Sequence, residues 1–172
     1  MVLCNVDCVK RISQYLDVIP GKMHMSENNV VAMSNLLKNQ TVEGFSTIVQ
    51  AMTNSSNLKH LLGDDPVSRA LTQQWLEYAS VCANYADNSA NTKRVLKELN
   101  NFLNTTTYLG GTKISVADIS LYHILHPIMR DLTPLEKKEF IHMSRWFENL
   151  QQDEKIRQKL ELINLNIMYM HL

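Results

Sequence analysis

The stretch "GGTKISVADISLYHILHP" (Gly110–Pro127) places a capping sequence directly ahead of a long apolar run. Ser115 and Asp118 have the spacing of a capping box, in which hydroxyl and carboxylate each accept the backbone N–H of the other residue. Ile114 and Ile119 add the spacing of a hydrophobic staple. The residues beyond are apolar on nearly all sides, as a helix in the middle of a bundle must be. Because a catalytic Asp118 would need a partner base or nucleophile and none is indicated, Ser115 and Asp118 are predicted to form a structural N-cap.

Composition and charge exclude several classes of function. The 172 residues contain 17 Lys+Arg and 17 Asp+Glu, for a formal net charge of +0. Proteins that bind nucleic acid or membranes non-specifically need a basic surplus, so neither is predicted as a direct partner. The uncharged runs are too short to cross a bilayer, and the N-terminal "MVLCNVDCVKR" lacks the pattern of a signal peptide. A cytoplasmic protein, with access to the nucleus left open, is expected.

The cysteines and histidines predict neither a disulfide framework nor a metal site. Cys4, Cys8 and Cys82 fit free thiols in a reducing compartment, and none of them forms a C-x-x-C motif. His123 and His126 could share a helix face, but no acid or thiol partner accompanies them. We therefore expect no metal and no cofactor.

The first sixty-odd residues have the pattern of a small mixed α/β unit. Apolar residues spaced by three and four predict an amphipathic helix from Val6 to Leu16. Two strand candidates follow, a weaker "KMHM" (Lys22–Met25) and a stronger "NNVVAMS" (Asn28–Ser34). A second short helix is predicted over Val42–Met52, with "TNSSN" (Thr53–Asn57) as a loop.

The remainder of the chain is predicted to be helical. The pair Asp65–Pro66 suits the cap and first turn of a long helix whose apolar stripe extends over Val67–Tyr85. Another amphipathic helix is predicted over Val95–Leu103. A second capping box, "TPLE" (Thr133–Glu136), opens a further helix, and Asp153 is expected to open the last one.

Several of these stretches resemble a known family. The segment Tyr108–His126 resembles the N-capping box and core helix of the C-terminal domain of glutathione S-transferase-like proteins. Three further stretches make the match more particular: "QQWLEY" (Gln73–Tyr78), "RDLTPLEKKEF" (Arg130–Phe140) and "SRWFENLQQDEKIRQ" (Ser144–Gln158). Together they resemble the glutathione S-transferase-like accessory proteins of the multi-aminoacyl-tRNA synthetase complex.

The resemblance implies a fold and a function. The implied fold is mostly α, with a shortened thioredoxin-like α/β part over residues 1–60 and an all-helical bundle over residues 61–172. The implied function is a non-catalytic scaffold that binds methionyl-tRNA synthetase and glutamyl-prolyl-tRNA synthetase beside other subunits of the complex. A nuclear DNA-damage signalling adaptor is also described in this family. Nothing in the sequence supports that role independently, and the tail Leu162–Leu172 carries no basic cluster.

The resemblance also implies a surface for the first partner. Glutathione S-transferase-like proteins commonly pair through the helices that correspond to Val42–Met52 and to the segment after Pro66. Gln50, Arg69 and Gln73 are the polar candidates there for contact with methionyl-tRNA synthetase. Solvated helix surface is the alternative interpretation for each.

Arg145 is the candidate for the second partner. The helical period places it roughly 160° from the apolar stripe of its own helix, so it should face solvent or a partner. In the family the arginine of the S-R-W-F motif lies at the contact with glutamyl-prolyl-tRNA synthetase, and Arg145 matches that arginine. A surface pair with Glu148 or Asn149 is the alternative.

The rival interpretation is a working glutathione transferase. Such an enzyme needs an N-terminal Tyr, Ser or Cys to stabilise the thiolate and a cis-proline before its third strand. Valines stand where that proline should fall, and the usual acid–serine pair is hard to see in "TVEGFSTIV" (Thr41–Val49). Cys8 is a possible nucleophile, but it falls inside the first amphipathic helix and fits a small core residue. The sequence therefore predicts no enzyme activity.

Overall fold

Helices dominate the computed structural model, which describes residues 2–37 and 40–165. The first third of the chain adds a small antiparallel sheet with strand order β1-β2-β3. The elements are α1 (Val6–Tyr15), β1 (Lys22–Met25), β2 (Val31–Leu37), β3 (Gln40–Glu43), α2 (Phe45–Ser55), α3 (Pro66–Val81), α4 (Ser89–Phe102), α5 (Val116–Asp131), α6 (Pro134–Glu139), α7 (Ile141–Gln151) and α8 (Glu154–Arg157), with 3-10 helices at Lys59–Leu62 and Ala83–Tyr85.

The N-terminal part is the mixed α/β unit that the sequence predicted. The strand "KMHM" is present with its predicted bounds as β1. The stronger candidate Asn28–Ser34 becomes a strand only from Val31 onwards. Asn29 has a φ of 56° and belongs to the turn between the two strands. An asparagine tolerates this left-handed conformation better than most residues, which explains the later start of the strand.

The predicted helix over Val42–Met52 begins too early. Val42 lies in β3, where it pairs with Met33 across the sheet. Gly44 then turns the chain with a φ of 97°, a conformation that favours glycine. Helix α2 can therefore begin only at Phe45.

The loop predicted over Thr53–Asn57 is also wrong in its first half, because α2 continues to Ser55. The Thr53 hydroxyl donates to the Val49 carbonyl at 2.7 Å, and the Ser55 hydroxyl donates to the Met52 carbonyl at 2.8 Å. These polar side chains satisfy their hydrogen bonds on the helix itself, so their polarity does not end it.

The long helix predicted over Val67–Tyr85 ends as an α-helix at Val81. The 3-10 helix Ala83–Tyr85 follows, and within it the buried Asn84 accepts the Cys4 backbone N–H through Oδ1 at 2.8 Å. Its start follows the prediction, since the Asp65 side chain caps α3. The expected caps of α6 and α8 are present too.

Helix α5 lies at the centre and packs against α1, α3 and α7. Most of its residues are buried, in agreement with an apolar surface on nearly all sides. A single cluster of buried apolar side chains runs from Leu3 to Leu165. The core is therefore continuous across residues 60 and 61, and the division into two domains there stays a prediction. Residues 166–172 of the second predicted domain lie outside the described residues.

Helix α7 receives its N-terminal cap from a neighbouring helix. Phe140 precedes the helix and offers no side-chain cap. Instead, Oδ1 of Asn100 on α4 accepts the backbone N–H of His142 at 2.9 Å and that of Met143 at 3.2 Å. These are two of the four amides that a helix start leaves without an internal partner.

Arg145 of α7 donates hydrogen bonds to backbone carbonyls at and just beyond the end of α4. Its Nη2 donates to the carbonyl of Leu103 at 2.6 Å and to that of Thr106 at 3.0 Å. Leu103 is the C-terminal cap residue of α4, and the carbonyls at a helix end lack internal partners, so the two helices complete each other's hydrogen bonding.

The cap supplied by α4 predicts a specific loss of stability. Asn100→Ala should lower the free energy of unfolding by about 1–2 kcal/mol, because two backbone amides of α7 lose their acceptor. Urea unfolding measures the change. The control is Asn101→Ala, which makes the same substitution at an exposed position of the same helix. Equal losses in the two variants would contradict the assignment of the cap.

Candidate functional site

The capping box at the start of α5 is present and buried. Ser115 Oγ accepts the Asp118 backbone N–H at 3.4 Å, while Asp118 Oδ2 accepts the Ser115 backbone N–H at 2.9 Å and its hydroxyl at 2.7 Å. The other carboxylate oxygen, Oδ1, accepts the Leu109 backbone N–H and the Trp146 indole N–H, both at 2.8 Å. The carboxylate therefore joins the preceding loop, α5 and α7.

The surroundings of Asp118 assign it a structural role. Complete burial raises the pKa of Asp118, and the hydrogen bonds from Leu109, Ser115 and Trp146 act in the opposite direction. Four donors point at two oxygens, which suits an ionised carboxylate because that form only accepts. No solvent reaches the carboxylate, and its amide and indole partners cannot act as a base or nucleophile. The Ser115 hydroxyl is itself buried in the capping box, where no substrate can reach it.

Gln50, Arg69 and Gln73 meet at one open groove between α2 and α3. The groove has a volume of about 380 Å³, and all three residues line it. Arg69 and Gln73 are exposed, whereas Gln50 is half-buried and donates from Nε2 to Ser46 Oγ at 3.0 Å. The guanidinium of Arg69 is oriented by a hydrogen bond to the preceding loop, in which its Nε donates to the Gly63 carbonyl at 3.0 Å. The structure thus places together the three residues that the resemblance assigned to one partner.

Arg145 lies on a different surface and does not line the groove. It is exposed, as the helical period predicted. Its guanidinium contacts the end of α4 through Nη2, in place of the surface pair with Glu148 or Asn149. The Glu148 carboxylate instead accepts from the side chains of Gln151 and Gln152.

Two contributors to these sites were missed at the level of sequence. The helical period places Trp146 on the apolar stripe of α7, but a buried indole N–H also needs an acceptor, and the buried Asp118 carboxylate supplies one. Lys59 lines the groove with Arg69, and no local pattern marks it because it lies in a short 3-10 helix.

Cys8, the candidate nucleophile of the rival interpretation, is unsuited to glutathione chemistry. It is buried on α1, and this burial raises the pKa of its thiol to about 12. The neighbouring Arg11 lowers it only in part. A thiol with this pKa is protonated at neutral pH, and the thiolate is the reactive form. The chain's four prolines also leave the region from Gly21 to Asp65 without one.

His123 and His126 are ordinary core residues of α5. His126 Nε2 is hydrogen-bonded to the Glu161 carbonyl at 3.0 Å, while both ring nitrogens of His123 lack a hydrogen-bond partner among the described residues. Burial lowers the pKa of His123 to about 3 and also lowers that of His126. Within residues 2–37 and 40–165, no group of His, Cys, Asp or Glu is arranged to hold a metal. Over the same residues, no helix could span a membrane.

Comparison with solved structures defines the class of fold. A theta class glutathione S-transferase from Xanthomonas axonopodis pv. citri, with glutathione bound, matches with a TM-score of 0.69 over 90% of each chain. The sequence identity is only 14%, so the match concerns the fold alone. The protein has the mostly α fold of the glutathione S-transferases.

Comparison with known sequences narrows the class to a family. The sequence model of the protein family described as "Nuclear-export cofactor Arc1p" matches residues 68–154. Eukaryotic translation elongation factor 1 epsilon-1 of Cricetulus griseus is 32% identical over 90% of each chain. The tRNA-aminoacylation cofactor arc1 of Schizosaccharomyces pombe is 24% identical over 74% of this chain and 27% of its own. The chain belongs to the eukaryotic translation elongation factor 1 epsilon-1 family, which confirms the resemblance found in its motifs.

The four hydrogen bonds to Asp118 predict a large loss of stability when the carboxylate is removed. Asp118→Ala leaves the backbone amides of Leu109 and Ser115 and the indole of Trp146 without an acceptor, and each buried orphan costs about 1–3 kcal/mol. We expect a loss of at least about 3 kcal/mol in urea unfolding, with a smaller loss for Asp118→Asn, which keeps one oxygen. An unchanged unfolding curve combined with lost partner binding would show that Asp118 is functional.

The buried histidines predict that the protein loses stability in acid. Below about pH 6.5 the unfolded chain protonates its histidines, whereas folded His123 stays neutral until about pH 3. The unfolded state therefore binds more protons, and His123 alone should lower the free energy of unfolding by about 2 kcal/mol between pH 7 and pH 5. His123→Phe should reduce this slope in urea titrations at several pH values. Parallel curves for variant and wild type would contradict the assignment.

Proposed function

We propose that this protein is a non-catalytic accessory subunit that holds aminoacyl-tRNA synthetases together in support of translation. The names of its relatives support this class, since one is a translation elongation factor and another a tRNA-aminoacylation cofactor. The observation that carries the proposal is the convergence of Gln50, Arg69 and Gln73 on one groove. That groove lies between α2 and α3, the pair of helices through which proteins of this fold commonly associate.

The first proposed partner is methionyl-tRNA synthetase, docked at the groove through its own glutathione S-transferase-like domain. The three groove residues leave donors and acceptors in solvent that a partner can use. Gln73 is exposed, and Arg69 uses only Nε for its own chain. Burial of these groups against a second helical pair would give a polar contact of defined orientation.

The second proposed partner is glutamyl-prolyl-tRNA synthetase, docked around Arg145. Nη2 of this residue donates to the Leu103 and Thr106 carbonyls, and the residue is exposed. The remaining N–H groups, on Nε and Nη1, can each donate a charge-assisted hydrogen bond to an acidic side chain of the partner. Arg145 does not line the groove, so the proposed sites for the two partners share no residue.

The compartment proposed for this assembly is the cytoplasm, where translation takes place, and access to the nucleus is compatible with it. A transferase is the rival function, and the buried thiol of Cys8 argues against it. Turnover of glutathione with a chlorodinitrobenzene-type electrophile above the uncatalysed rate would contradict the non-catalytic part of the proposal. Co-purification of both synthetases from cytosol would support the scaffold.

The proposed role of Arg145 predicts a selective loss of binding. Arg145→Ala should weaken binding of glutamyl-prolyl-tRNA synthetase by roughly thirtyfold or more, because a desolvated charged contact is worth about 2–5 kcal/mol. Binding of methionyl-tRNA synthetase should stay unchanged in parallel titrations. The free energy of unfolding should fall by only about 1 kcal/mol, since the bonds to the end of α4 are lost.

Two variants on the same helix serve as controls for this measurement. Asn149→Ala removes an exposed side chain one turn further along α7 and should leave both affinities unchanged. Arg145→Lys keeps the charge but not the planar fork, so an intermediate affinity is expected. If Arg145→Ala leaves both affinities unchanged, the residue is ordinary surface. If both affinities fall together with a large loss of stability, its role is structural.

A further inference from the structure

The groove between α2 and α3 has an uneven charge. Lys59 and Arg69 both line it and are exposed, and no carboxylate is among its lining residues. The chain as a whole has a net charge of +0, so the excess of positive charge is local to this groove. An unbalanced pair of cations at a concave surface attracts an anionic group.

The cations of the groove have no carboxylate partner within the described part of the chain. The nearest acids in sequence are occupied elsewhere. Asp64 forms an ion pair with Lys113, with 2.8 Å between Oδ2 and Nζ. Asp65 caps α3 through the backbone amides that follow it. Arg69 itself donates to a backbone carbonyl, which orients the guanidinium without neutralising it.

The remaining lining residues suit a peptide segment. Thr72 lines the groove although only 1% of its surface is exposed, and its hydroxyl has no hydrogen-bond partner among the described residues. Because this hydroxyl is buried and a helical threonine can donate to the carbonyl of the preceding turn, Thr72 is not counted among the donors for a ligand. The amides of Gln50, Asn54 and Gln73 offer both donors and acceptors, which match the N–H and C=O groups of a peptide backbone.

We infer that this groove selects a partner protein through a carboxylate side chain, which Lys59 and Arg69 receive while the surrounding amides bind the flanking backbone. The inference deepens the proposed function and rests on it in taking a protein as the occupant. A nucleic acid fits less well, because its affinity depends on neutralising many phosphates and the groove supplies two cations.

The first experiment tests the carboxylate preference without any synthetase. The side-chain N–H resonances of Arg69, Gln50 and Gln73 are followed by NMR during titration with a capped hexapeptide that contains two glutamates. The same peptide with glutamine in both places is the neutral probe. We expect saturating shifts with the glutamate peptide and binding at least tenfold weaker with the glutamine peptide. Equal shifts with the two peptides would overturn the inference.

The second experiment uses the glutathione S-transferase-like domain of methionyl-tRNA synthetase. Arg69→Gln and Lys59→Gln should each weaken its binding about tenfold and reduce the dependence of affinity on salt. Arg69→Lys keeps the charge, so it should retain most of the affinity and most of its dependence on salt. The control is Lys97→Gln, which removes an exposed lysine of α4 outside the groove. Losses that do not depend on salt would contradict a charged contact.

The two experiments separate the inference from the proposed function. If the synthetase domain does not bind the wild-type protein, the proposed docking fails, and the peptide titration still decides the carboxylate preference. If a single-stranded oligonucleotide shifts the Arg69 and Gln50 resonances at lower concentration than the glutamate peptide, the occupant is a nucleic acid and the inference is wrong.

Discussion

The buried carboxylate of Asp118 joins parts of the chain that otherwise share mainly apolar contacts. Its oxygens accept from the loop before α5, from the first residue of the capping box and from the indole of Trp146 on α7. A carboxylate in an apolar core is tolerated only when its hydrogen bonds are complete, so these parts are positioned as a set. Because α5 contacts α1, α3 and α7, this set also determines where the two candidate docking surfaces lie.

The motif Ser144–Phe147 is a structural element before it is an interaction site. Its serine hydroxyl donates to the Lys137 carbonyl at 2.8 Å, and its arginine completes the end of α4. Its indole holds the Asp118 carboxylate, and its phenylalanine ring packs on Tyr122 with 4.5 Å between ring centroids. All four side chains therefore serve the fold, and only the arginine keeps exposed donors. A motif of this kind identifies the fold and offers one residue for recognition.

Local features were predictable from the sequence, and non-local ones were not. The capping box of Thr133 and Glu136 could be predicted because the two residues lie within one helical turn. The bond from Trp146 to Asp118 spans 28 positions, and that from His142 to Asn100 spans 42, so no sequence window contains either pair. The convergence of the groove residues followed from the family's mode of pairing and not from periodicity, which is why the lysine in the intervening 3-10 helix was missed.

The central place of α5 has a consequence for how the protein is made. Helix α1 covers part of its apolar face with α5, yet more than a hundred residues of chain separate Val6 from Val116. At about 5–20 residues per second, the ribosome needs roughly 5 to 20 seconds to synthesise that interval. During this time the nascent N-terminal segment exposes the surface that later becomes core. The packing of α1 on α5 must therefore wait for late synthesis, and a chaperone that shields apolar surface would act on the first part of the chain to emerge.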